Sequence, residues 1–535
     1  MLEKPASACL NEFVEIKTNK PRRAFQVSTP YRNVIAERKL NIERRLDSTK
    51  PLADSGAPEI SASNIHYEMA DKTRGHTCGG IGAMHLMVKK LGLVELIDER
   101  LHLLKRHKPY HESDHVLAIA YNILAGGTRL EDLELLRNDE AFMDGLGARR
   151  LPDPTTAGDF TRRYEVSDII ILQEAINAAR QRVWGEQATR TKGFLKEAFI
   201  DVDGTIVGTL GECKGGMDMS YKGIWGYHPL LVTLANTREV LYCVNRPGNV
   251  ASHQDNAEWV DRAIALVAPH AGQITLRGDT DFTNTGHLDR WHEGGVRFIF
   301  GMDAHAKVVG LAEALPEAQW SVLERLPKYE IATHERTRPD NVKEEIVRQR
   351  GYRNLVLKGE SVAEFPYRPN KCGREFRMVV LRKNISVQKG EAVLVEEMRY
   401  FFYLTNKLEE SREQIVGLAN DRCDQENVIE QAKNGVNAMR LPVNDLVSNW
   451  AYMVMALLAW NLKAWYGLLL PDEETSQDII GMETKRFMRQ FLHMPVQIVR
   501  AGRRIIYRLL GYNRSLGAFF AMWEKLRRWK PAWAG

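Results

Sequence analysis

At Phe194 the hydrophobic pattern of the chain changes period. Upstream, apolar residues recur at helical intervals: Ile81, Leu86, Leu91, Leu93, Leu96 and Ile97, then Val116, Ile119, Ala120, Ile123 and Leu124. Downstream they alternate. Phe199-Ile200-Asp201-Val202-Asp203-Gly204-Thr205 interleaves apolar residues with aspartates, which predicts a strand carrying Asp201 and Asp203 on one face and a turn at Gly204. A strand that ends by presenting carboxylates suits a divalent cation or a phosphoryl group. Because an isolated Asp-x-Asp is more often a solvated strand end, its meaning depends on what the chain brings to it.

The runs after Asp203 predict the rest of a sheet. Pro229–Ala235 and Val240–Asn245 flank Asn236-Thr237-Arg238-Glu239, which is hairpin spacing. A helix is expected over Asn256–Val267, a short strand over Gln273–Leu276 ending at Gly278-Asp279, a helix over His287–Glu293 and a strand over Val296–Gly301. Strand, strand, strand, helix, strand, helix, strand is a mixed α/β order, closer to a ribonuclease-H-like sheet than to a doubly wound one. The expected fold class is therefore α/β, with a ribonuclease-H-like core formed by residues 194–302 and 409–440, a β-rich insertion at 303–408, and helical flanks at 58–193 and 441–535. Asp153-Pro154-Thr155-Thr156 reads as a helix start in the first flank. Residues 1–57, polar and proline-containing without a sustained period, read as a weakly ordered extension.

Charge and cysteine usage narrow the function. The net charge of +5 is small, but from Lys485 onward twelve Lys or Arg face one acid, Glu524, which points to phosphate contacts. Six scattered cysteines form no C-x-x-C pair, which supports neither a zinc ribbon nor a disulfide framework and fits a reducing cytoplasm. Met1–Lys20 holds no apolar core of a signal peptide, and Trp450–Leu470, interrupted by Asn461 and Lys463, reads as a buried helix rather than a membrane span.

Two further acids complete a set. Asp279 follows a short strand and a glycine, and so projects from a strand's C-terminal edge, where active-site residues of α/β folds gather. On a helix expected over Ser411–Gly435, Arg422, Glu426 and Lys433 are spaced by four and then seven residues and share a stripe. Phosphodiester attack places negative charge on attacking and leaving oxygens. Two hard divalent ions held by few carboxylates stabilise both ends of an in-line displacement. Arg422 and Lys433 would hold phosphates. Lys222, Trp225, Tyr227 and His228, with Tyr221, crowd the segment after the first strand and are candidates for stacking on bases and contacting phosphates. Trp320 is a candidate for stacking on a flipped base.

Arg422-x3-Glu426-x6-Lys433, Asp203-Gly204-Thr205 and Leu276-Arg277-Gly278-Asp279 resemble the acidic motifs of bacterial insertion-sequence transposases with an Asp-Asp-Glu site. Ser220–Val232, Asn245–Asn249, Arg277–Phe282, Arg422–Asn427 and Ser448–Met455 are similar to one branch, the "thirteen-eighty" family. The resemblance implies a DNA transposase that cleaves at terminal inverted repeats and transfers strands into target DNA by a cut-and-paste route. It implies two Mg²⁺ or Mn²⁺ ions on Asp203, Asp279 and Glu426, with Arg422 and Lys433 at phosphates. It also implies a DNA-binding role for residues 58–193, a homodimer on DNA, no membrane, and a cytoplasmic, nucleoid-associated location in a bacterium. The tyrosine of the family's signature falls at Ala419, a departure. Asp201 remains an alternative first catalytic acid. Asp201-x-Asp203-Gly204-Thr205 also fits the nucleophile motif of haloacid-dehalogenase-type phosphatases, in which Asp201 would attack phosphorus; that reading gives Glu426 and the basic tail no task. A catalytically silent, transposase-derived DNA-binding protein is a second alternative.

Overall fold

The computed structural model describes residues 29–46, 65–67, 69, 73–107, 109–211, 213–325, 353–389, 392–531 and 533. The change of period at Phe194 marks a change of layer. Before it lie helices, notably α1 (Glu112–Leu124) and the 25-residue α2 (Val166–Arg190), with Pro154–Thr161 capped by Asp153 at the expected start. After it, nine strands form one sheet. These are β1 (Glu197–Gly204), β2 (Leu230–Leu234), β3 (Glu239–Val244), β4 (Gln273–Gly278), β5 (Arg297–Met302), β6 (Ser321–Val322), β7 (Arg353–Tyr367), β8 (Phe376–Lys389) and β9 (Ala392–Thr405), in the order β6-β7-β8-β9-β5-β4-β1-β2-β3.

β1 lies within the sheet. It runs antiparallel to β2 and parallel to β4; β2 is antiparallel to β3, and β4 is parallel to β5. Every residue of β2 and β3 is buried, which explains why they read as continuous apolar runs. The helix α3 (Asn256–Val267) packs on β1 and β2.

The strands of the expected insertion at 303–408 join the core sheet: β9 pairs antiparallel with β5 from Thr405↔Ile299 to Phe402↔Met302, so β7 to β9 extend it. Phe402 and Leu404, alternate residues of β9, are buried there. The single helix expected over Ser411–Gly435 is three pieces: α4 (Arg412–Asn420), α5 (Cys423–Glu430) and a wide π turn over Gln431–Gly435. The C-terminal region is not all helical, since Val496–Ala501 and Arg504–Leu509 form a hairpin that also pairs with Gly75–His76. Val496 and Ile498 turn inward onto Ala141, the two-residue alternation that the surrounding arginines obscured. Within the stretch expected to be weakly ordered, Thr29–Arg45 is a helix; Arg38 donates to the carbonyls of Leu509 and Gly511, and Tyr31 stacks on Phe520 at 4.2 Å. Residues 1–28 and 47–57, and 326–352 of the expected insertion, lie outside the described residues.

The apolar stretch around Trp450 is α6 (Leu446–Leu469), buried along nearly its whole length between α1, α2 and β3. Its polar atoms clamp the sheet edge. Trp450 donates to the Cys243 carbonyl at 2.5 Å, Asn461 pairs with both backbone groups of Val240, and Trp460 donates to the Arg238 carbonyl. Glu239, fully buried, accepts from Arg180 and Trp184 of α2 and from Trp465 of α6. Among the described residues no helix is long and apolar enough to cross a membrane.

Candidate active site

The parallel register of β1 and β4 pairs Val202 with Gly278. The next residue on each strand is an aspartate, so Asp203 and Asp279 emerge side by side at the C-terminal edge. The glycine beside each acid sits too close to its neighbours to carry a side chain. A Cβ on Gly204 would lie 2.8 Å from His228 Nε2, and one on Gly278 would lie 3.1 Å from the Phe300 ring. Asp279 caps the short turn Thr280–Phe282 by accepting from Asp281 N at 3.0 Å, which orients its carboxylate.

Arg422 bridges the two acids. The break after α4 puts it at the N-cap of α5, from which its guanidinium reaches Asp203 Oδ2 at 3.0 Å and Asp279 Oδ2 at 3.7 Å. Burial pushes the Asp203 carboxyl up to about 6; Arg422 opposes that rise and the neighbouring Asp279 adds to it. Asp279 is raised for the same first reason, again against Arg422. Desolvation thus outweighs the single guanidinium at both carboxylates, and the pair is left short of positive charge. Lys433, on the π turn, is lowered chiefly by burial, with Lys222 lowering it further and Asp203 acting against both; these three groups are within electrostatic reach.

Asp201 occupies a different environment. It is fully buried, and Arg277, opposite it on β4, grips both its oxygens at 2.6 and 2.8 Å. Arg277 also donates to the Leu418 carbonyl and stacks over Phe199, tying the two strands to α4. Both oxygens of Asp201, expected as an alternative catalytic acid, face a buried guanidinium. Arg277 was missed by the sequence reading. A charged residue inside the short strand Gln273–Gly278 was the available signal, because a buried strand tolerates an arginine only opposite an acid.

Glu426 lies one turn along α5 from Arg422, exposed and without a hydrogen bond or ion pair to a described residue. No group of three potential ligand side chains converges among the described residues. The structure thus brings Asp203, Asp279 and Arg422 together and leaves Glu426 nearby on the surface.

Beside the acids, the short strands Val207–Gly208, Asp218–Met219 and Trp225–Tyr227 form a small sheet. Its turn exposes Tyr221, Lys222 and Trp225, with Lys222 Nζ 5.2 Å from the Tyr221 ring centre. Tyr227 and His228 do not join them. Tyr227 is buried with its hydroxyl donating to the Gly215 carbonyl, and His228 is buried with Nδ1 3.2 Å from the Val250 carbonyl. Trp320 has Arg382 4.1 Å over its ring, and Arg382 pairs with Glu317, so that face of the ring is already covered. Ala419, at the place of the signature tyrosine, packs against the cluster containing Ile415 and Val416.

Two carboxylates converging on a cationic group at an accessible strand edge are a hard-oxygen donor set, and Arg422 stands where a cation is drawn. Comparison with known proteins gives a family and a structural likeness. The family described as transposase DDE domain group 1 matches residues 74–531. A search of curated proteins finds no match. Among solved structures, a piggyBac transposase synaptic complex with hairpin DNA, determined by cryo-EM, is similar at 11% identity and a TM-score of 0.32, covering 78% of this chain and 82% of that one.

Proposed function

The chain belongs to the transposase DDE domain family, group 1, and on that premise we propose that it cleaves and rejoins DNA phosphodiesters at the ends of an insertion sequence, with Asp203, Asp279 and Glu426 as its acids. The observation that carries the reading is the juxtaposition of Asp203 and Asp279 at the ends of parallel strands, bridged by Arg422. The strand order β3-β2-β1-β4-β5, with only β2 running against the rest of that set, supports a ribonuclease-H-like core.

Asp203 and Asp279 would hold divalent metal, with Glu426 joining from α5. The metal supplies charge stabilisation to the attacking and leaving oxygens when bound. The chain's own residues do the rest. Arg422 offsets part of the repulsion between the two carboxylates and is placed to turn its guanidinium to a phosphate. Lys433 and Lys222 present ammonium groups to the strand being cut. Tyr221 and Trp225, exposed on the adjoining turn, offer ring faces to bases beside the scissile bond. Arg277 holds Asp201 and α4 fixed, so that β1 and the α4–α5 break meet in constant register.

The phosphatase alternative requires Asp201 to attack phosphorus, and the bidentate pair with Arg277 stands against that. The test of the proposal is a strand-transfer assay with the intact protein. Labelled duplex bearing the element's terminal repeat is incubated with supercoiled plasmid in Mg²⁺ and in EDTA. Joined product in Mg²⁺ alone is the expected result. Absence of cleavage and joining in both, with intact DNA binding, would identify a catalytically silent relative instead.

A further inference from the structure

Outside the acidic site, the helical region holds a cleft of about 730 Å³ lined by five arginines: Arg106, Arg137, Arg149, Arg150 and Arg163. They come from four separate segments, and all five are exposed. Arg137 pairs with Glu134; the other four make no ion pair with a carboxylate among the described residues. The one acid in the lining, Asp153, is engaged at the N-cap of Pro154–Thr161, accepting from Thr156 N at 2.9 Å and Thr156 Oγ1 at 2.8 Å.

The cleft is built rather than incidental. Its floor is aromatic: Tyr110 meets His115 edge-on at 5.3 Å, His115 stacks on Phe160 at 4.2 Å, and Phe160 meets Tyr164 edge-on. The Tyr110 hydroxyl donates to the Leu151 carbonyl, fastening the segment bearing Arg106 to the one bearing Arg149 and Arg150. His115 is 3% exposed, and its Nδ1 has no hydrogen-bond partner. A buried orphan of this kind is uncommon in a finished fold. Guanidiniums held close without counter-charges repel one another, an arrangement suited to an anion that supplies the missing charge. Because the arginines are spread over four segments around an open cleft, the fitting ligand is a run of phosphates and not one small anion.

We propose that this cleft grips the sugar–phosphate backbone of duplex DNA, as a contact separate from the acidic site. The inference deepens the reading of the chain as a DNA transposase and rests on it for the choice of DNA. Phosphate contacts of this sort fix position and carry no sequence information.

The test is fluorescence anisotropy of the intact protein with a labelled 30-base-pair duplex of arbitrary sequence, in EDTA, at several NaCl concentrations. Arg149→Ala/Arg150→Ala is expected to weaken binding about ten-fold or more at moderate salt and to reduce the slope of log affinity against log salt by about 2. Arg106→Ala/Arg163→Ala, drawn from other segments, is expected to do the same, so that misfolding of one variant does not decide the result. Wild-type affinity and slope in both would overturn the proposal, as would a wild type that binds no duplex. Cleavage is not read in this assay. Loss of catalysis in the strand-transfer test would therefore leave this result standing, and failure here would leave the catalytic reading intact.

Discussion

Asp201 and Asp203 sit two residues apart on one strand and differ in their partners and exposure. Asp201 is sealed against Arg277, and removing either partner strands a buried charge. Asp201→Asn or Arg277→Met is expected to cost about 3–5 kcal/mol in urea unfolding. Burial raises the Asp203 carboxyl to about 6 from 3.8, and this sets its pH linkage. An acid whose folded value is raised favours the folded state fully below about pH 4, and that contribution is lost as pH rises through 6. In EDTA, the stability of wild type relative to Asp203→Asn is therefore expected to fall between pH 4 and pH 7, by at most about 3 kcal/mol. Stability curves of the two proteins at several pH values check this; a difference that grows with pH contradicts it. Arg422→Ala removes the positive charge both acids share. Its melting temperature in EDTA is expected to drop below that of wild type, and Mg²⁺ to restore part of the loss.

At the scale of elements, β1, β2, β4, β5 and α3 were readable because their hydrophobic periods are local properties of the sequence. Asp203 and Asp279 were readable because each follows such a run. What the sequence could not disclose depends on register and on breaks. Nothing local says that Asp201 lies opposite Arg277 on the neighbouring strand, or that α4 stops at Asn420 so that Arg422 becomes an N-cap. The unbroken stripe of Arg422, Glu426 and Lys433 assumed one regular helix; the π turn containing Lys433 alters the rotation between them. The hairpin at Val496–Leu509 was hidden by its arginines, whose side chains leave the inward alternation of Val496 and Ile498 as its only sign. The clamp on Glu239 belongs to this scale as well. Glu239→Gln leaves Arg180 buried without its counter-ion, and is expected to destabilise the protein by about 3–5 kcal/mol in denaturant unfolding.

For the whole molecule, the decisive feature is continuity. The sheet runs unbroken from β6 to β3, and α6 joins its far edge to the helical region. The strands of the expected insertion cover the edge of β5, so excision of residues 306–404 with a short linker is expected to bare Ile299 and Phe300 and yield aggregates in size-exclusion chromatography. A monodisperse product would show that those strands fold apart from the core.

The central claim is that Asp203, and not Asp201, is the first acid of a phosphodiester-cutting site. Mg²⁺-dependent nicking of a terminal-repeat duplex by wild type, Asp203→Asn, Asp201→Asn and Glu426→Gln measures it directly. The account predicts loss of about three orders of magnitude or more in rate for Asp203→Asn and Glu426→Gln, while whatever Asp201→Asn protein remains folded still nicks. Wild-type nicking by Asp203→Asn would contradict it.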